Sequence, residues 1–287
     1  MSYTTLITSE QLLPRLAEPG WAVFDCRFKL EDPEAGRQAY LDSHISGAVY
    51  AHLDQDLSGP KTGMNGRHPL PDPESLVKTF SAWGISDSTQ VVAYDDVGGG
   101  LAAARLWWLL KYMGHDRVAV LDGGWQAWAA ANYPARPGAE SRPPTTFVGH
   151  PRPDMIRNAD EVGELARSSS WVVVDSRAPA RYRGDEEPID PVAGHIPGAR
   201  NYLWSANLEA TGRVLPPDQL RAQFEKLLGN VPPEHSIFYC GSGVTSAHNV
   251  LALEVAGLTG AKLYPGSWSE WCSDPTRPVA TGEESEQ

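Results

Sequence analysis

The sequence predicts an α/β chain made by tandem duplication, each half a mainly parallel sheet flanked by helices. Three observations carry this. Short apolar runs alternate with helical patterns along all 287 residues. Landmarks of the first half return in order in the second: Trp21–Arg27 as Trp171–Arg177, Ser43–Ala48 as Gly194–Ala199, and Gly123–Trp128 as Gly266–Trp271. Between the halves lies a stretch with prolines 134, 137, 143, 144, 151 and 153 and little apolar periodicity, which reads as an extended linker. The length suits two domains with a core each. The expected boundaries are 1–138, a linker over 139–154, and 155–287.

In chain order, Thr8–Leu16 reads as a helix capped by Thr8 or Ser9, and Ala22–Asp25 as a strand. A polar loop with Asp32, Pro33 and Gly36 leads to the turn around His44. A Gly/Pro-rich stretch covers Ser58–Pro73. Glu74–Trp83 reads as a helix and Val91–Asp95 as a strand. A long helix runs from Gly98–Gly100 to Met113, stopped by Gly114. Val118–Leu121 is a strand and Gly123 opens the last helix. The second half repeats the pattern. The site is expected at the carboxyl ends of its strands, in a cleft between the domains.

The stretch that stands out is Cys240-Gly241-Ser242-Gly243-Val244-Thr245-Ser246. An apolar run, Ser236–Tyr239, precedes it, and a helical pattern, Ala247–Ala256, follows. The cysteine therefore lies where a strand gives way to a helix. Glycines let backbone N–H groups curl around one point, and the helix N-terminus adds unpaired donors and its positive dipole end. A thiol facing such a nest loses its proton more easily than a free cysteine and becomes a nucleophile. In the first half Tyr94-Asp95 fills the slot of Tyr239-Cys240, so only the second half carries the thiol. Asp25 and Asp175 end strands and are expected to fix the loops that follow by hydrogen bonds.

The net charge is −12, which argues against general affinity for nucleic acid or an anionic membrane. No apolar stretch is long enough to cross a bilayer, and no signal peptide is visible, so a cytoplasmic location is expected. Cys26, Cys240 and Cys272 have neither zinc-site spacing nor a disulfide framework. Cys26 and Cys272 are expected to be bystanders.

Both Asp-x-Arg strand ends, both His-Ile-x-Gly-Ala turns, the Gly-x-Trp-x-x-Trp ends and the single loop cysteine together resemble the rhodanese family of sulfurtransferases in its two-domain form. Cys-Gly-Ser-Gly-Val-Thr is similar to the loop of its 3-mercaptopyruvate sulfurtransferases. The resemblance implies two rhodanese-like domains and a persulfide on Cys240. Sulfur would come from a small-molecule donor and pass to a thiol such as thioredoxin, or to cyanide, with no metal or organic cofactor. Arg181 would hold the substrate carboxylate beside Gly241, Gly243, Val244, Thr245 and Ser246. A Ser-His-Asp relay is also implied, with Ser242, His44 and Asp32. His44 has a second reading, as a structural histidine, since His195 fills the same turn in the other half. The resemblance implies a second arginine where this chain has Asp190, for which Arg177 or Arg183 would have to compensate.

Other classes fare worse. A cysteine phosphatase needs an arginine six residues after the cysteine, and that residue is Ser246. A cysteine protease or thioesterase needs a partner histidine, and His248 falls in the following helix. A thiosulfate:cyanide sulfurtransferase and a persulfide carrier serving a partner protein remain as alternatives.

Overall fold

The computed structural model describes residues 2–283, and these divide into two units that are not contiguous halves. The first unit takes the described chain to Gly59, Pro71–Arg152 and Leu208–Val214. The second takes Pro60–Leu70, Pro153–Asn207 and the described chain from Leu215 onward. Each unit thus borrows a short segment from the other half of the sequence.

In the first unit the strands Leu6–Ile7, Val118–Leu121, Gln90–Tyr94, Trp21–Asp25 and Val49–Tyr50 lie side by side in that order, every pair parallel. In the second unit the order is Lys262–Leu263, Ser236–Tyr239, Val172–Asp175 and Arg200–Asn201, again parallel throughout. The central strands are apolar runs without alternation because helices cover both faces. Val92, Tyr94, Ala119 and Trp128 share one core, and Val173, Ile237, Tyr239 and Trp268 share its counterpart.

The helices start and stop where local chemistry dictates. Thr8 caps Ser9–Leu12 through a capping box with Gln11. Pro14 has no N–H to continue the ladder, so the chain tightens into a 3-10 turn over Leu13–Arg15 and not the longer helix expected. Asp72 caps Pro73–Ala82 by accepting from Ser75 N at 2.9 Å. Ala35–Asp42, expected as loop, is a helix. The expected linker lies along the first unit as far as Arg152: Thr145 N donates to the Ser81 carbonyl at 2.9 Å, His150 N to that of Met113 at 2.8 Å, and Phe147 is buried.

The duplication extends to buried side chains. Arg27 clasps Asp25 at 2.6 Å, donates to the Ser43 carbonyl and lies 4.7 Å over the Trp125 ring. Arg177 repeats this with Asp175, the Gly194 carbonyl and Trp268, also at 4.7 Å. The backbone N–H groups of Arg27 and Arg177 donate to the same two aspartates, which fixes each loop. His44 Nδ1 lies 2.8 Å from the Tyr40 carbonyl and its ring stacks on Tyr40 at 4.2 Å. His195 does the same with Tyr182, at 2.7 and 3.8 Å.

Candidate active site

Strand Ser236–Tyr239 delivers Cys240 at its carboxyl end, and helix Ser246–Val255 begins six residues later. The loop between them is tied to the short helix Ser267–Trp271. Cys240 N donates to Ser267 Oγ at 3.1 Å, while the Cys240 and Gly241 carbonyls accept from Trp268 N and Ser269 N at 3.0 and 2.9 Å. Gly243 has φ +73°, and a Cβ there would sit 2.2 Å from the Pro265 carbonyl oxygen, so only glycine fits.

The thiol is buried, and Ser246 Oγ donates to its sulfur at 3.4 Å. Burial pushes the Cys240 thiol up. Hydrogen bonds from the Ser246 and Thr245 hydroxyls and from the Ser242 and Ser246 amides outweigh that and hold it below its ordinary value. The other two cysteines go the opposite way. Burial, then the Asp25 charge, drives Cys26 far up, and burial, then Asp190, raises Cys272 to about 11. Only Cys240 is prepared as a thiolate.

Ser242 Oγ lies 2.7 Å from His68 Nδ1. His68 comes from the borrowed segment Pro60–Leu70, which is seated on the second unit by further bonds: Arg67 N donates to Ser269 Oγ at 2.9 Å, and Ser273 Oγ to the Met64 carbonyl at 3.3 Å. This corrects the expected relay. The imidazole on Ser242 is His68. His44 is fully buried in the first unit, its Nδ1 committed to the Tyr40 carbonyl and its Nε2 3.6 Å from Glu140. Asp32 is exposed in the loop before Ala35–Asp42, where its carbonyl accepts from Ala35 N. His68 stood in a stretch read only as Gly/Pro-rich loop. The signal that could have found it is the Arg67-His68 pair inside an otherwise uncharged run, Thr62–Pro71.

Arg181 projects from the short helix Pro179–Arg183 toward the cysteine loop, its Nη1 and Nη2 3.8 Å from where a Gly241 Cβ would stand. Its Nη2 and Nε bond Glu187 at 2.7 and 3.1 Å, and Nη2 also bonds Asp190 at 3.0 Å. Burial pushes the Glu187 carboxyl up, but Arg181 and the Asp190 and Ile189 amides hold it below the usual range. Neither arginine expected to compensate at Asp190 does so. Arg177 is locked to Asp175 and Glu187, and Arg183 pairs with Asp185 and Glu283 at the surface. The second guanidinium near the loop is Arg67, bonded to Asp190 at 2.5 Å. His248 is buried with Asn207 at 3.3 Å from its Nδ1 and Trp204 edge-on, which leaves the protease reading without geometric support.

The model of the rhodanese-like domain matches residues 8–131 and 158–274. The chain belongs to the rhodanese family. It is 48% identical over 285 residues to a probable 3-mercaptopyruvate sulfurtransferase of Pseudomonas aeruginosa, covering 99% of this chain and 100% of that protein. It is 40% identical to a putative thiosulfate sulfurtransferase of Mycobacterium tuberculosis, covering 96% and 97%. It is 34% identical to human 3-mercaptopyruvate sulfurtransferase, covering 90% and 86%. Among solved structures, the 3-mercaptopyruvate sulfurtransferase of Escherichia coli superposes with a TM-score of 0.79 at 28% identity, covering 93% of this chain and 99% of that one.

The first rhodanese unit shows what the loop geometry binds. Asp95, in the slot of Cys240, turns its carboxylate into the amides of the following turn: Val97 N and Gly99 N on Oδ1 at 3.0 and 2.8 Å, Leu101 N and Ala103 N on Oδ2 at 3.0 and 3.3 Å. This nest delays the helix to Ala102–Tyr112, beyond the Gly98 start expected. A rhodanese loop is thus an anion cradle. In the first unit a built-in carboxylate fills it; in the second the Cys240 thiol stands in that slot.

Proposed function

We propose that this rhodanese is a sulfurtransferase that moves a sulfur atom from 3-mercaptopyruvate to a thiol, through a persulfide on Cys240. The observation that carries the reading is the Cys240 thiol itself, held below its ordinary pKa by hydroxyls and amides although burial alone would raise it. The names of the P. aeruginosa and human relatives support the donor.

In the first half-reaction the Cys240 thiolate attacks the donor sulfur. The S–S bond forms as the carbon–sulfur bond breaks, and that electron pair leaves on pyruvate as its enolate. Protonation of the enolate carbon completes pyruvate. Ser242 is the hydroxyl for the developing enolate oxygen, and His68, 2.7 Å away, polarises it and moves the proton. Arg181 holds the carboxylate. In the second half-reaction an acceptor thiolate, such as that of thioredoxin in the cytoplasm, attacks the outer sulfur and Cys240 leaves as thiolate. The cradle of amides and hydroxyls that favours the thiolate also favours the anionic persulfide.

Thiosulfate is the second reading, favoured by the name of the M. tuberculosis relative. The deciding experiment is a side-by-side kcat/KM for mercaptopyruvate and thiosulfate with cyanide as acceptor. Mercaptopyruvate is expected to be the better donor, and Cys240→Ser to abolish turnover of both. A higher kcat/KM for thiosulfate would reverse the donor assignment.

A further inference from the structure

Position 190 holds an acid where the resemblance implied a second carboxylate-binding arginine, and the structure puts that acid between two arginines. Asp190 Oδ1 accepts from Arg67 Nη1 at 2.5 Å and its Oδ2 from Arg181 Nη2 at 3.0 Å. The side chain of Asp190 is 2% exposed, so this is a built bridge and not a surface ion pair. Its amide donates to Glu187 Oε1 at 3.0 Å, and the same oxygen accepts from Arg181 Nη2 at 2.7 Å. The acid and the arginines are thereby fixed as one unit.

The bridge leaves particular donors over. Among the described residues, Arg181 Nη1 and Arg67 Nη2 have no hydrogen-bond partner, and Arg67 Nε is buried and unpartnered. Two of these face one spot. A Cβ built on Gly241 would stand 2.9 Å from Arg67 Nη2 and 3.8 Å from Arg181 Nη1. That spot adjoins Cys240 in the chain. A glycine keeps it open, and two guanidinium edges with unused N–H groups converge on it. Two such edges aimed at one point concentrate positive charge there and leave donors free for an anion. A carboxylate, with two oxygens and about four acceptor sites, is suited to two such edges.

We propose that Arg67, held by Asp190, is the second half of a carboxylate clamp with Arg181, and that it selects an α-keto acid donor by binding its carboxylate over Gly241. This rests on the mercaptopyruvate reading and deepens it. Asp190 is a positioning residue: it neutralises part of the two positive charges and aims their free edges at the loop, doing from the acid side what a second arginine at 190 would do directly. The clamp spans the sequence, since Arg67 belongs to the borrowed segment that also brings His68.

The test compares two donors that differ only at the clamp: 3-mercaptopyruvate, and mercaptoacetone, in which a methyl group replaces the carboxylate. Arg67→Ala is expected to raise KM for mercaptopyruvate ten- to a hundredfold, with a smaller fall in kcat. Its effect on kcat/KM for mercaptoacetone is expected to be below threefold. Arg67→Lys should recover part of the KM, since it keeps the charge and loses the fork. Asp190→Asn should raise KM for mercaptopyruvate less than Arg67→Ala does. An unchanged KM in Arg67→Ala would overturn the clamp, as would equal losses on both donors, which is what mere disturbance of the neighbouring His68 would produce. Failure of the wild-type protein to release pyruvate from mercaptopyruvate would instead refute the donor reading, and the clamp with it.

Discussion

His68 Nδ1 lies 2.7 Å from Ser242 Oγ, although 174 positions separate the two residues in the chain. The contact exists because Pro60–Leu70 leaves its own half of the sequence and docks on the second unit. Gly66, with φ +84°, makes the approach close: a Cβ there would lie 2.7 Å from the Gly266 carbonyl oxygen. If this pair moves the proton, His68→Ala lowers kcat with mercaptopyruvate by about 10²–10⁴-fold, the usual worth of general acid–base assistance. Ser242→Ala should cost a similar amount, and the double variant little more than either single one, because the two act as a unit. Pyruvate release by the four proteins measures this; additive losses would separate the pair.

His44 belongs to the frame of the first unit. Its loss removes a buried hydrogen bond to the Tyr40 carbonyl and a stacked ring. His44→Ala is expected to lower unfolding stability by about 2–3 kcal/mol and to leave kcat near the wild-type value. Denaturant unfolding beside steady-state kinetics checks it, and a hundredfold loss of kcat in a fully folded variant would restore His44 to the chemistry.

Ser246 tests the source of thiol acidity. It stands where a phosphatase would carry its arginine, and here its hydroxyl donates to the Cys240 sulfur at 3.4 Å. Removing a donor to the thiolate favours the protonated form. In Ser246→Ala the acid limb of the pH–rate profile for Cys240 alkylation by iodoacetamide should move to higher pH. An unmoved limb would leave the acidity to Thr245 and the amides.

Asp95 gives the first unit a pH dependence of its own. Burial raises its carboxyl from 3.8 to about 6, against the pull of its amide partners. The folded state therefore binds this proton more tightly than the unfolded chain, and stability is lost as pH rises from about 4 to about 6. Relative to Asp95→Asn, which cannot titrate, the wild-type protein should lose about 3 kcal/mol across that window. Urea unfolding at a series of pH values reads the difference, and a constant gap between the two proteins would refute it.

Local features of the chain were legible from the residues. The strands Trp21–Asp25, Gln90–Tyr94, Val172–Asp175 and Ser236–Tyr239 are continuous apolar runs, and the repeat fixed their correspondence. The strand-to-helix position of Cys240 followed from a β pattern, glycines and a helical pattern in succession. What local pattern does not encode is where a loop without periodicity travels. Pro60–Leu70 has no amphipathic signature; the Arg67-His68 pair stands apart in the otherwise uncharged run Thr62–Pro71, but no pattern places the two beside a loop beyond residue 240. His44 enters the relay only as what the rhodanese resemblance implies; its place in a tight turn supports the other reading, a structural histidine. Its duplicate His195, stacked on Tyr182 as His44 is on Tyr40, was the indication that the turn itself needs an imidazole. Asp190 looked like a lost arginine in one dimension and is a bridge between two arginines in three.

In the proposed cycle the transferred sulfur rides on Cys240. The decisive measurement is intact-protein and peptide mass spectrometry after one equivalent of 3-mercaptopyruvate, with no acceptor present. One added sulfur atom is expected on the peptide carrying Cys240, removed by later addition of cyanide. No mass gain on that peptide while pyruvate is released, or a gain on Cys26 or Cys272 instead, would contradict the cycle.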